Sequence, residues 1–112
     1  MARSLTACFA GVLLASQTAG AVPLSFAIAP GNFDEHCVKL EAGTEAKYRF
    51  DASAPVRFNI HHHRGKDVLY PVKREHIRKL EGRFRARAAD DYCLMWENKG
   101  KQAVTVRGTV EP

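Results

Sequence analysis

The stretch DYCLMWEN, Asp91 to Asn98, decides the fold. Leu94 and Trp96 fall on one side of an extended chain while Cys93 and Met95 fall on the other, the period of a half-buried strand. A thiol on such a strand near one end of a domain, with a second thiol, Cys37, near the other end, predicts a disulfide-stapled β-sandwich. Trp96 is the only tryptophan, and a large aromatic close to a disulfide is an ordinary way to fill a small sandwich.

The third cysteine, Cys8, sits in a segment with the marks of an export signal. Met1 to Ser4 carries one positive charge, Leu5 to Ala15 is apolar but too short to span a bilayer, and Ala19-Gly20-Ala21 is a small-x-small cleavage site. Residues 1–21 therefore read as a cleaved signal peptide and 22–112 as a single β-sandwich domain, periplasmic or secreted. Leu5 to Cys8 has the letters of an acylation box, but the apolar stretch follows it instead of preceding it, so lipidation is not expected. Two cysteines then remain, and the one available bridge is Cys37–Cys93, in a compartment oxidising enough to keep it. Closing a loop of about 57 residues stabilises a fold by roughly 4 kcal/mol in the chain-entropy model, a large share for a domain this small. No second apolar run of about 20 residues occurs, so no transmembrane segment is expected in the mature chain.

Outward from Asp91 the period is two almost everywhere. Leu24, Phe26 and Ile28 alternate with small residues, Tyr48 and Phe50 with charged ones, and Val56, Phe58 and Ile60 with Arg57, Asn59 and His61. Turn residues punctuate these runs at Pro30-Gly31-Asn32, Ala42-Gly43-Thr44, Ala54-Pro55, Arg64-Gly65-Lys66, Ala89-Asp90-Asp91 and Asn98-Lys99-Gly100. The pattern predicts an all-β, antiparallel sandwich or jelly-roll-like domain of about eight short strands, near 24–29, 36–41, 46–52, 56–62, 67–71, 82–88, 92–98 and 103–110. Arg74 to Leu80, with Ile77 and Leu80 three apart, has helix-forming character and reads as one turn or a loop.

The order CVKLEAGTEAKYRF, VRFNIHHHRGKDVLYPV, GRFRARAADDYCLMWENKGKQAVTVRGTV resembles the GOLD domain, the small β-sandwich of secretory-pathway cargo receptors and some lipid-transfer proteins. Cys37, Gly65-Lys66, Gly82-Arg83-Phe84, Tyr92-Cys93 and Asn98 occupy the places of that family's motifs, over roughly residues 37 to 110. Asp91 stands where the family often has glycine, and neither a coiled coil nor an anchor follows Pro112, so cargo-receptor function is not implied. The resemblance implies a β-sandwich for non-catalytic recognition of protein or lipid, and a short export signal before a stand-alone domain points to a bacterial, periplasmic protein.

Two clusters carry chemistry. His61 and His63 share one side of a strand end, with His62 opposite in line with Phe58 and Ile60. Imidazoles two residues apart on a strand lie about 6.5–7 Å apart and can lean onto one copper, zinc or nickel ion, with His36, His76 or Met95 completing the set if the fold brings one near. Arg64 and Lys66 beside them oppose a cation. The second cluster is Arg83, Arg85 and Arg87, three guanidinium groups on one side of one strand, which suit an acidic protein, a lipid head group or lipopolysaccharide. The same stripe serves equally as a solvated face that blocks edge-to-edge association.

Neither Glu35 nor Asp90-Asp91 has a partner in sequence, and no nucleophile–base set or Gly-rich phosphate loop occurs. An enzyme is not expected, and nucleic acid is a poor partner for an exported domain without a recognised motif. The leading expectation is an exported binding or adaptor module that requires no cofactor and recognises a protein or an anionic surface. The alternative is a periplasmic metal-binding protein using the histidine cluster.

Overall fold

Ala46, Tyr48, Phe50 and Ala52 bury their side chains, and Val56, Phe58 and Ile60 continue the same even-numbered side of one unbroken strand. The computed structural model describes residues 20–112. It has six strands: β1 (Val22–Ile28), β2 (Phe33–Leu40), β3 (Glu45–Arg64), β4 (Asp67–Arg85), β5 (Asp90–Glu97) and β6 (Val104–Glu111). Residues 1–19, which hold Cys8 and most of the expected leader, lie outside the described part of the chain. Among the described residues no helix is long and apolar enough to cross a membrane.

Six strands replace the expected eight because Ala54-Pro55 is not a turn. Pro55 lies inside β3 where the ladder with β4 slips, between Asp51 and Val56, so its missing N–H breaks no regular pairing. The expected strands 46–52 and 56–62 are thus the two halves of β3. Likewise 67–71 and most of 82–88 are the ends of β4, and Arg74 to Leu80 is extended between them. His76, at φ 50°, sits where β4 takes up the irregularity.

All pairings are antiparallel, in the order β1-β6-β3-β5-β2, with β4 alongside β3. The first half of β3 pairs with β6 from Lys47 to Ala52, and the second half pairs with β5 from Arg57 to His61. Gly108 on β6 permits this close approach, since a Cβ there would meet the carbonyl oxygen of Arg49. The sheet then curls over its own inner face. Phe26 on β1 and Trp96 on β5 are not sheet neighbours, yet their rings lie 5.3 Å apart across the interior. The result is a curled half-barrel and not a clear two-sheet sandwich, with Trp96, Phe50 and Phe58 at its centre.

The ends are tied by side chains. Buried Asn98 donates from Nδ2 to the carbonyls of Ile28 and Gln102 and accepts from the Gly100 N–H, joining the end of β1 to the β5–β6 loop. Tyr92 donates its hydroxyl to the Ala88 carbonyl and fixes the entry into β5. Cys37 and Cys93 face each other directly in the β2–β5 register and are bridged.

Candidate functional site

Alternation sorts β3 beyond the bulge into two faces: Phe58, Ile60 and His62 point inward, while Arg57, Asn59, His61 and His63 point outward. The expected separation of His62 from its neighbours is observed. Its Nδ1–H donates to Asp90 Oδ2 at 3.0 Å, and its ring lies 4.6 Å from that of Tyr92. The hydrogen bond from His62, then that from the Asp91 N–H, holds the Asp90 carboxyl below its ordinary value.

His61 and His63 lie together on the outer face, ring centroids 5.7 Å apart. In register, Cys37, Cys93 and His61 form one row across β2, β5 and β3, while Glu35, Met95 and Asn59 form the next. His61 Nδ1–H donates to Asn59 Oδ1 at 2.8 Å, which leaves the lone pair on Nε2, 3.7 Å from Glu35 Oε2. Met95 shares this face, one row from His61. The structure does not bring His36 or His76 to it. His36 is opposite Leu94 on the inner side of β2. His76 borders a groove of about 520 Å³ between the β3–β4 bulge and the β5–β6 loop, with Pro55, Arg57 and Lys99. Glu35 was invisible as a partner of His61 in sequence because strand register alone makes them neighbours, whereas Asn59, two residues from His61 on the same strand, shares its face by alternation.

Burial lowers the pKa of His61 from 6.5; the nearby Glu35 carboxylate opposes the shift and His63 and His62 reinforce it. A depressed imidazole pKa means that the unfolded chain binds more protons just below that value, so stability is present above it and is lost as pH falls toward the folded pKa. Urea midpoints should therefore decline as pH drops from about 7.5 to 5, and His61→Gln should flatten that part of the curve. An unchanged slope in the variant assigns the pH dependence to other groups.

The β3–β4 hairpin continues past the last β5 partner, Cys93, as two strands alone. Its Gly65-Lys66 turn has φ 62° at glycine, the position of a two-residue turn that favours it. Just beyond, Val68, Leu69 and Tyr70 are exposed to 39, 40 and 45%. Tyr70 leans on His61, ring centroids 5.8 Å apart, and Lys73 Nζ lies 4.5 Å over the tyrosine ring. Phe33, 60% exposed, lies on the far edge strand of the same half. Singly exposed apolar side chains are normal; here Val68 and Tyr70 share the outer face of the protruding hairpin with His63 and His61, while Leu69, opposite His62, lies on the inner side.

The fold has solved counterparts. The pre-peptidase C-terminal domain of a Bacillus anthracis collagenase aligns with TM-score 0.63 at 13% identity, covering 80% of this chain and 88% of that one. PliG of Aeromonas hydrophila, a periplasmic lysozyme inhibitor of g-type lysozyme, aligns with TM-score 0.55 at 14% identity, covering 83% and 86%. No family model matches the chain, and no curated protein matches it by sequence. At these identities the likeness is one of fold.

Arg83 and Arg85 on β4 and Arg87 just after it are exposed, as their alternation predicts. Their surroundings are mixed in sign. Arg83 Nη1 lies 3.3 Å from Glu45 Oε1, and Glu81 faces Arg49 across the pair. On the other side of β3, Glu111 faces Lys47 and Arg107 faces Asp51. Such exposed pairs add little stability, about 0–1 kcal/mol each, and they dilute the field that an anionic surface would feel.

Proposed function

We propose that this chain is a non-catalytic module of an exported, oxidising compartment that binds a protein partner through the tip of the β3–β4 hairpin. The exposure of Val68, Leu69 and Tyr70 where the hairpin leaves the sheet carries this reading. Tyr70 has the character of an interface anchor, a rigid amphipathic ring beside a cation and an imidazole. The Cys37–Cys93 bridge supports an oxidising location. PliG, an inhibitor of an enzyme, shares the fold, and one fold serves many functions, so the partner here is left to experiment. The interleaved acids on the arginine face favour a protein over a uniformly anionic surface. The GOLD-like order of Cys37, Gly82, Tyr92 and Asn98 belongs to the same proposal, as the mark of a recognition domain.

The test is site-directed photo-crosslinking in the producing cell. A photoreactive residue at position 70 should yield a discrete protein adduct, while one at Arg107, on the outer face of β6, should not. Replacing Val68 and Leu69 with asparagine should weaken capture of the purified partner at least about tenfold, the scale of one or two interface anchors, without changing the unfolding midpoint. Equal labelling at both positions, or at neither, would end this reading.

A further inference from the structure

Residues on the outer face that carry metal-donor atoms gain a new meaning when the bridge is opened. Glu35, His61 and Cys93 each offer one donor atom, and all of these lie within 4.8 Å of one another. While Cys93 is bonded to Cys37 its sulfur is a poor ligand, because a metal takes the thiolate. Cys37 is exposed on the same face, directly opposite Cys93. We propose that reduction of the Cys37–Cys93 bridge creates a four-donor site for a thiophilic divalent metal of the zinc class, with Cys37, Cys93, His61 and Glu35 as its ligands.

Register makes the site. Two cysteines on neighbouring strands stand in for the paired cysteines of a short loop, and the row continues directly to His61 on the third strand. The His61 Nε2 to Glu35 Oε2 distance of 3.7 Å lets one ion at about 2.0–2.2 Å from each atom bind both. Asn59 accepts the Nδ1 proton of His61 and so presents Nε2 as the ligand, the outer-shell arrangement that metal-bound histidines use. Two thiolates, an imidazole and a carboxylate form a tetrahedral set suited to zinc.

A dithiol reductant supplies two electrons and two protons, leaving as its own cyclic disulfide and producing Cys37–SH and Cys93–SH. Metal binding then displaces both thiol protons. Bridge and ion are alternative cross-links of the same strands, so reoxidation releases the metal.

Cobalt(II) reports thiolate ligation by its charge-transfer absorption, and a phosphine is a suitable reductant, taking oxygen from one water to become its phosphine oxide. Reduced protein should bind one equivalent of cobalt with thiolate charge-transfer and tetrahedral bands, and zinc should displace it. The oxidised protein should show neither band. Glu35→Gln and His61→Ala should each weaken binding to the reduced form at least about tenfold, whereas His36→Ala, next to Cys37 in sequence but on the opposite face, should leave it unchanged. If reduction alone loosens the fold, cobalt should restore the circular dichroism spectrum of the oxidised protein. Reduced protein that gives no charge-transfer band, is not restored by cobalt, or binds equally well without His61 and Glu35 overturns the proposal.

Discussion

Replacing Trp96 with alanine should lower the unfolding free energy by about 3–5 kcal/mol, the range for removing a large aromatic from a core. Its side chain is fully buried and meets rings from two other strands: Phe26 on β1 at 5.3 Å, Phe58 on β3 at 5.5 Å, and Phe50 on β3 edge-on at 5.6 Å. These partners belong to both halves of the curled sheet, and each is held by its own strand pairing. They cannot all move inward to fill the space, so the cavity term adds to the lost burial. Trp96→Phe is the informative companion. The indole Nε1 is buried and makes no hydrogen bond within the described residues, so phenylalanine forfeits no polar contact and should cost only about 1–2 kcal/mol. Because Trp96 is the sole tryptophan, urea unfolding must be followed by circular dichroism. A loss below about 1 kcal/mol for Trp96→Ala would mean that the curl does not close around this ring.

The residues that reveal this core in sequence are those whose neighbours are local. Alternation is read correctly along both halves of β3 because inward apolar side chains mostly alternate with polar ones, and in Asp91–Asn98 because the bulky Tyr92, Leu94 and Trp96 fall on the side away from Cys93. The bridge is legible by elimination, once Cys8 is assigned to a leader. Ala54-Pro55 misleads because proline is a turn residue by composition, whereas its place in a ladder irregularity depends on where β4 falls. Arg74 to Leu80 misleads for a different reason. Among the described residues β4 pairs with β3 alone, and it is exposed along most of its length, so it lacks the polar–apolar alternation that identifies a strand.

The candidate site is legible in part. The common face of His61 and His63 follows from period two, as does the inward turn of His62. Glu35 is 26 positions from His61 and meets it only because β5 lies between β2 and β3 in a fixed register. His36 shows the converse: it adjoins Cys37 in the chain and faces the other side of the sheet. Exposure of Val68, Leu69 and Tyr70 is likewise invisible in one dimension, since the apolar run reads as an ordinary strand until the pairing of β3 with β5 is seen to stop at His61.

Loss of the Cys37–Cys93 bridge should be the other large effect, about 2–5 kcal/mol for a small exported domain. With roughly 0.05–0.15 kcal/mol of net stability per residue, that is a substantial part of the total for the 93 described residues. The bridge spans a sequence separation of 56, so it removes considerable freedom from the unfolded chain. In the folded chain its effect is local: among the described residues β2 is an edge strand whose only ladder partner is β5, and the bridge joins those two strands. A double Cys37→Ser, Cys93→Ser variant avoids stray thiol coupling and should cost no more than either single change, because all three remove one and the same bond. Hydrogen exchange should then show amides of Asp34 to Leu40 losing protection while the β3–β6 ladder keeps most of its own, since the β5 ladder and the buried Val38 and Leu40 must then hold the strand without the covalent tie. Uniform loss of protection across β2, β3 and β6 would place the stabilisation entirely in the unfolded chain, with β2 no more dependent on the bridge than the rest of the sheet.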